Sequence, residues 1–270
     1  MIHTILVPVD FSESSLNALE TATEIAGKHK ALLQILHVAD PVVPATMNGS
    51  PNMLENERQI FDAMAGRILQ KHGIKSEILF KEGFTGPTIV KTAQLNKPDL
   101  VVIGAHGASG YRELFIGSNA YFVVKFSACP VLIIPESNKW HGFEKILYPA
   151  RTSYGALQRY EFVKHLVKGQ SAELEFLGLS VRKDADEESA MRSMADKLKS
   201  RKPDQKIQFA VNFSQEKNIA REVLDYADRT NADLIVISPA IDVMNKQFFV
   251  GPFSQRIINH AKVPVLYINK

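Results

Sequence analysis

The chain has 270 residues, 45% hydrophobic and 23% charged, with a formal net charge of +3. That make-up excludes a disordered or fibrous chain and suffices for one large core or two ordinary ones. Lys and Arg are scattered, not gathered in blocks, which argues against a nucleic-acid or membrane-surface partner.

Taken in chain order, Met1-Ile2-His3-Thr4-Ile5-Leu6-Val7 lacks the basic start, sustained apolar stretch and small-residue cleavage site of a secretory signal, so a cytoplasmic location is expected. Short β-branched runs at about 2–9, 31–39, 75–81, 99–104 and 130–135 do not alternate in polarity. Strands covered on both faces look like this. All of them fall short of the roughly 18 to 20 apolar residues that span a bilayer. Helical spacing separates the runs: Leu16, Leu19, Thr23 and Ala26; then Ile60, Met64 and Ile68; then Ile89, Val90 and Ala93. Cys129, the single cysteine, excludes an internal disulfide and a thiolate cluster. Between Ala128 and Pro130 at the entry to a strand, it reads as a small buried hydrophobe.

The pattern is then written a second time. Thr4-Ile5-Leu6-Val7-Pro8-Val9 returns as Lys145-Ile146-Leu147-Tyr148-Pro149-Ala150, 141 residues on from Ile5 to Ile146. Asp99-Leu100-Val101-Val102-Ile103 returns as Asp233-Leu234-Ile235-Val236-Ile237, and Cys129-Pro130-Val131-Leu132 as Val263-Pro264-Val265-Leu266, both at a displacement of 134. Further strands are expected near 144–150, 171–179, 206–212, 233–238 and 264–269. Residues 1–137 and 144–270 therefore read as two units joined by a linker at 136–143. Strands alternating with helices imply right-handed crossovers. The expected fold is α/β: two tandem doubly wound, five-stranded parallel-sheet domains of Rossmann-like type.

In such sheets a ligand lies beyond the carboxyl ends of the strands, where the strand order reverses. The residues to inspect follow the first and fourth strands: Pro8-Val9-Asp10-Phe11-Ser12, and the run from Gly104 through His106, Gly107 and Gly110 to Gly117-Ser118-Asn119. Glycines admit positive φ and close backbone approach, and a helix N-terminus offers unpaired N–H groups and positive dipole. Together they describe an anion cradle; the bland alternative is a tight βα connection. Neither the Gly-x-x-x-x-Gly-Lys-Ser/Thr phosphate loop nor a Gly-x-Gly-x-x-Gly fingerprint is present. Asp10 could instead cap the helix beginning near Ser12, and His106 could hydrogen-bond within its loop. No second His or carboxylate stands at ligand spacing from His106, so no protein metal site is expected.

Gly104, two residues, Gly107, nine residues, then Gly117-Ser118 resembles the signature of ATP-binding members of the universal stress protein family. Val7-Pro8-Val9-Asp10-Phe11-Ser12, Leu36-His37-Val38, Gly86-Pro87 and Cys129-Pro130-Val131 are similar to other parts of the family pattern, so the likeness covers the whole chain as a tandem member. The resemblance implies an adenine nucleotide alpha hydrolase-like fold. It also implies a site in which Pro8, Val9 and Asp10 border the adenosine and Val38 packs on the base beside Ile103. Gly104, His106, Gly107, Gly117, Ser118 and Asn119 would surround the ribose and phosphates. ATP is the implied ligand, with magnesium carried by the nucleotide. Asn119-Ala120 departs from the family's usual hydroxyl residue, which removes a phosphate contact and turns preference toward ADP or AMP.

In the second copy Ser238, Ile241, Gly251 and Pro252 stand at Gly104, Gly107, Gly117 and Ser118, and Arg151 at Asp10. Proline suits a first helical turn but offers neither hydroxyl nor N–H to a phosphate. One nucleotide per chain is expected. The resemblance implies pairing of the two copies through their closing strands, 130–135 against 264–269, and leaves room for a homodimer. It implies a regulatory or sensing module in stress response. The alternatives are a slow ATP hydrolase, against which Asp10 and His106 are the only bases in reach and Arg112 the only cation, or a nucleotide-free interaction scaffold.

Overall fold

The computed structural model describes residues 1–39, 52–107, 116–136, 142–150, 156–179, 185–200, 207–214, 218–242 and 250–269. In the first unit the order is β1 (Thr4–Pro8), α1 (Glu13–His29), β2 (Leu32–Ala39), α2 (Asn52–His72), β3 (Ser76–Glu82), α3 (Thr85–Asn96), β4 (Leu100–Gly104), α4 (Ser118–Phe126) and β5 (Val131–Ile134). The second unit repeats it: β6 (Lys145–Ala150), α5 (Ala156–Leu166), β7 (Ala172–Leu179), α6 (Ala185–Ser200), β8 (Ile207–Ser214), α7 (Ile219–Thr230), β9 (Leu234–Ile237), α8 (Pro252–His260) and β10 (Val265–Tyr267). A 3₁₀ turn, Pro239–Asp242, follows β9.

All ten strands form one sheet, ordered β3-β2-β1-β4-β5-β10-β9-β6-β7-β8. Pairing is parallel within each set of five. The sets join where β5 runs antiparallel to β10, with Val265 opposite Ile133 and Tyr267 opposite Val131. Each set is doubly wound. One core layer gathers Ile5 and Val7 of β1 with α1, α2, α5 and α6; the other gathers Leu6 with α3, α4, α7 and α8. Because strand side chains alternate in direction, the continuous apolar runs supply both layers.

Three expectations are corrected. The inner face of α1 is carried by Ala18, Ala22 and Ala26, all fully buried, while Leu16 is exposed. Small residues four apart let the helix lie close to the sheet, and the larger Leu16 is left outside. In α2, Phe61 is buried and Ile60 is half exposed. β3 is an edge strand with no fully buried residue, so it is not covered on both faces. In the expected linker, 137–141 lie outside the described residues, but Phe143 is buried in the core. Cys129 is partly buried and packs against the α3/α4 layer, where burial pushes its thiol pKa up.

Candidate functional site

The strand order in the first unit reverses between β1 and β4, and a cleft opens at their carboxyl ends. The turn after β1 is shaped by local hydrogen bonds. Asp10 Oδ1 accepts from the backbone N–H of Ser12 at 3.0 Å and from its hydroxyl at 2.5 Å. Ser12 Oγ in turn caps α1 by accepting from the N–H of Ser15 at 3.2 Å. Asp10 thus serves the cap indirectly, through Ser12. Between them Phe11 adopts φ 63°, an uncommon conformation for a non-glycine residue. Its ring rests on Phe61, 4.8 Å between centroids.

Across the cleft, β4 ends at Gly104. A Cβ there would lie 2.7 and 2.8 Å from the backbone carbon and oxygen of Ser14 and 2.3 Å from its hydroxyl. The glycine is therefore required by the approach of α1, a use different from the expected one of exposing amides through positive φ. Among the described residues, a Cβ at Gly107 would meet only Asp10 Oδ2, at 3.1 Å, and one at Gly117 only ordinary contacts from 3.4 Å outward. None of the three has φ in the left-handed region. Gly110 and Arg112 lie outside the described residues.

The chain re-enters at Ile116, whose N–H donates to Asn259 Oδ1 of the second unit at 2.8 Å. Gly117 N–H then bonds the Ala105 carbonyl at 2.8 Å. Gly117 is the N-cap of α4 and supplies no side-chain hydrogen bond, so the helix presents an uncapped N-terminus. Asn119 Oδ1 is taken up by the N–H of Gly86 at 3.1 Å, which ties the start of α4 to the start of α3. His106 donates its backbone N–H to Ser14 Oγ at 3.3 Å, while its Nδ1 is buried and has no hydrogen-bond partner among the described residues. Buried polar atoms are seldom left unpaired, so this nitrogen is a contact point for a group that enters the cleft.

All eleven residues expected at the site, Pro8, Val9, Asp10, Val38, Ile103, Gly104, His106, Gly107, Gly117, Ser118 and Asn119, line this one cleft. Ser15, Leu36, Thr85, Ile89 and Ala120 line it as well. Leu36 and Ile89 add apolar wall beside Val38, and their strand and helix periodicity could have signalled it. Among the described residues no group of three His, Cys, Asp or Glu could hold a metal ion, and no helix is long and apolar enough to cross a membrane.

The second unit carries Ser238 just after β9, a buried Ile241 whose N–H bonds the Ser238 carbonyl at 3.1 Å, and Pro252 in the first turn of α8. Arg151 lies outside the described residues.

Comparison with known proteins agrees with this duplicated architecture. Over 99% of its length the chain superimposes on 96% of a universal stress protein from Archaeoglobus fulgidus, with a TM-score of 0.74 at 21% identity, a likeness of fold. A universal stress protein of Methanocaldococcus jannaschii is 31% identical over 141 residues, 50% of this chain and 83% of the relative. The Bacillus subtilis universal stress protein YxiE is 29% identical over 147 residues, 50% of this chain and 99% of the relative. The model of the universal stress protein family matches twice, at residues 1–135 and 142–269. With two matches that together span nearly all of it, the chain belongs to the universal stress protein family as a tandem member.

Proposed function

We propose that the first unit, residues 1–137, binds one adenine nucleotide in the cleft between β1 and β4, and that the chain serves in the cytoplasm as a nucleotide-responsive regulatory module of the stress response. The observation that carries this reading is the buried Nδ1 of His106, unpartnered among the described residues, beside the uncapped N-terminus of α4. A phosphate chain at that end of α4 would meet free N–H groups and the positive pole of the helix. The apolar wall of Val38, Ile103, Leu36 and Ile89 suits a base. Ala120, buried in the lining, offers no hydroxyl to a terminal phosphate, which favours ADP or AMP over ATP. Magnesium would enter with the nucleotide, since no group of three His, Cys, Asp or Glu among the described residues could hold it alone.

In the second unit, residues 144–270, Ile241 and Pro252 occupy the places of Gly107 and Ser118, so nucleotide binding in the same manner is absent there. The β5–β10 pairing makes the chain a pseudo-dimer and covers two sheet edges that would otherwise invite association. Native mass spectrometry and calorimetry on the purified chain test the reading. One nucleotide per chain, lost in Gly117→Trp, is the expected result. No binding of ATP, ADP or AMP at millimolar concentration would overturn it in favour of a nucleotide-free scaffold.

A further inference from the structure

Where α1 meets Gly104 through Ser14 in the first unit, α5 meets Ser238 through Arg159 in the second. Arg159 is 5% exposed. Its Nε donates to the hydroxyl of Tyr148 on β6 at 2.9 Å, an Nη donates to Ser238 Oγ, and the guanidinium carbon lies 5.6 Å from the centre of the Tyr148 ring. Both partners are neutral. Tyr148 is itself 1% exposed, and burial pushes its phenol pKa up, so it supplies no phenolate. Among the described residues Arg159 has no carboxylate partner.

A guanidinium keeps its charge at any physiological pH and carries five N–H donors, of which the two hydroxyls use two. Buried charges are ordinarily paired, because an uncompensated one loses its hydration for nothing in return. The position of this one is telling. Tyr148 lies on β6 and Ser238 just beyond the carboxyl end of β9, the two strands between which the order of the second unit reverses. In a doubly wound sheet that is where ligands bind. An adenosine is not accommodated as in the first unit: Leu179 of β7 keeps an apolar residue at the place of Val38, but the buried Ile241 stands at the place of Gly107.

We infer that the second unit holds a small oxyanion, a phosphate group free or carried on a small metabolite, against the Arg159 guanidinium at the carboxyl ends of β6 and β9. The site is separate from that of the first unit and does not depend on it. The test uses the full-length Gly117→Trp chain, with the first cleft blocked, titrated calorimetrically with inorganic phosphate, glycerol phosphate and AMP. One phosphate binds per chain, and its affinity falls at least about tenfold in the additional variant Arg159→Lys, which keeps the charge but not the planar fork. Glycerol phosphate binding more tightly than inorganic phosphate identifies a carried phosphate, and the reverse identifies the free ion. No binding up to about 10 mM phosphate, an unchanged affinity in Arg159→Lys, or AMP binding more tightly than both smaller ligands would overturn the inference. Should Arg159→Lys fail to fold, Ser238→Ala takes its place, with a several-fold loss expected and an unchanged affinity overturning it. Because the first cleft is blocked throughout, failure here leaves the nucleotide reading of the first unit standing, and failure of that reading leaves this one standing.

Discussion

At the start of β1, Asp99 Oδ2 accepts from the N–H groups of His3 and Thr4 at 2.7 and 3.0 Å; at the start of β6, Asp233 Oδ2 accepts from those of Glu144 and Lys145 at the same two distances. The helices preceding these aspartates end alike, on Lys97 and Asn231 in the left-handed conformation at φ 49° and 52°. The two units thus agree in framework down to single hydrogen bonds. At the crevice they part. One keeps a cleft with an imidazole nitrogen that is unpartnered among the described residues; the other has a buried arginine between two hydroxyls. The parallel sheet needs its strand starts and helix ends pinned, whatever the crevice holds, so the crevice can change chemistry without disturbing the scaffold. Nor is the second unit a passive partner. Asn259 bonds the Ile116 N–H, and Asn269 donates to the carbonyls of Val124 and Ser127. Lys125 and Pro135 stand at the corresponding places of the first unit.

Exchanging the residue after the fourth strand of each unit tests how far the crevices are interchangeable. Gly104→Ser gives the first unit the residue of the second, yet its Cβ falls on the backbone of Ser14 and α1 must move away from β4. The expected cost is about 2–3 kcal/mol in urea unfolding, with loss of nucleotide binding. A change within about 0.5 kcal/mol would mean that α1 yields easily and that the glycine serves the ligand after all. The next effect is smaller. Asn259→Ala removes the acceptor of the Ile116 N–H, next to the N-cap of α4. About 1 kcal/mol of stability is at stake, with up to about a fivefold loss of nucleotide affinity. Calorimetry showing unchanged affinity would separate the second unit from the working of the first.

The repeat, the strand runs and the glycine spacing were legible because each is written in a short stretch of chain. Buried strands declare themselves by continuous Val, Ile and Leu, and their expected limits fall within one or two residues of those observed. The eleven residues expected at the site line one cleft because strand ends and helix starts are local features. What was illegible depends on distance or on size. Ile116 and Asn259 are 143 residues apart, and Arg159 and Ser238 are 79 apart, so neither pairing leaves a mark in sequence. In α1 the helical spacing found the buried Leu19, Thr23 and Ala26, but it passed over Ala18 and Ala22 and picked out the larger, exposed Leu16. Gly104 was visible but its reason was not, since only the packing of Ser14 distinguishes a glycine needed by a helix from one needed by a ligand.

The smallest effect concerns the seam between the units. His29, at the end of α1, bonds the carbonyl of Leu166, at the end of α5, through Nε2 at 3.0 Å, and Lys28 donates to Gln170 at 2.8 Å beside it. Burial is the main reason that the His29 pKa lies below its ordinary 6.5, against the opposing pull of the Leu166 carbonyl. With the folded value depressed, the neutral ring is the one that fits, and the unfolded chain takes up a proton first as the pH falls. This contribution is therefore fully present above about pH 6.5 and is lost as the pH drops from there through the folded value. The melting temperature should decline in that window, and less steeply in His29→Gln, which retains a donor for Leu166 but does not titrate. Equal slopes in the two proteins would remove His29 from the coupling between the units. A single transition that splits into two only at the lower pH would instead place the acid-sensitive contact between the two halves at this histidine.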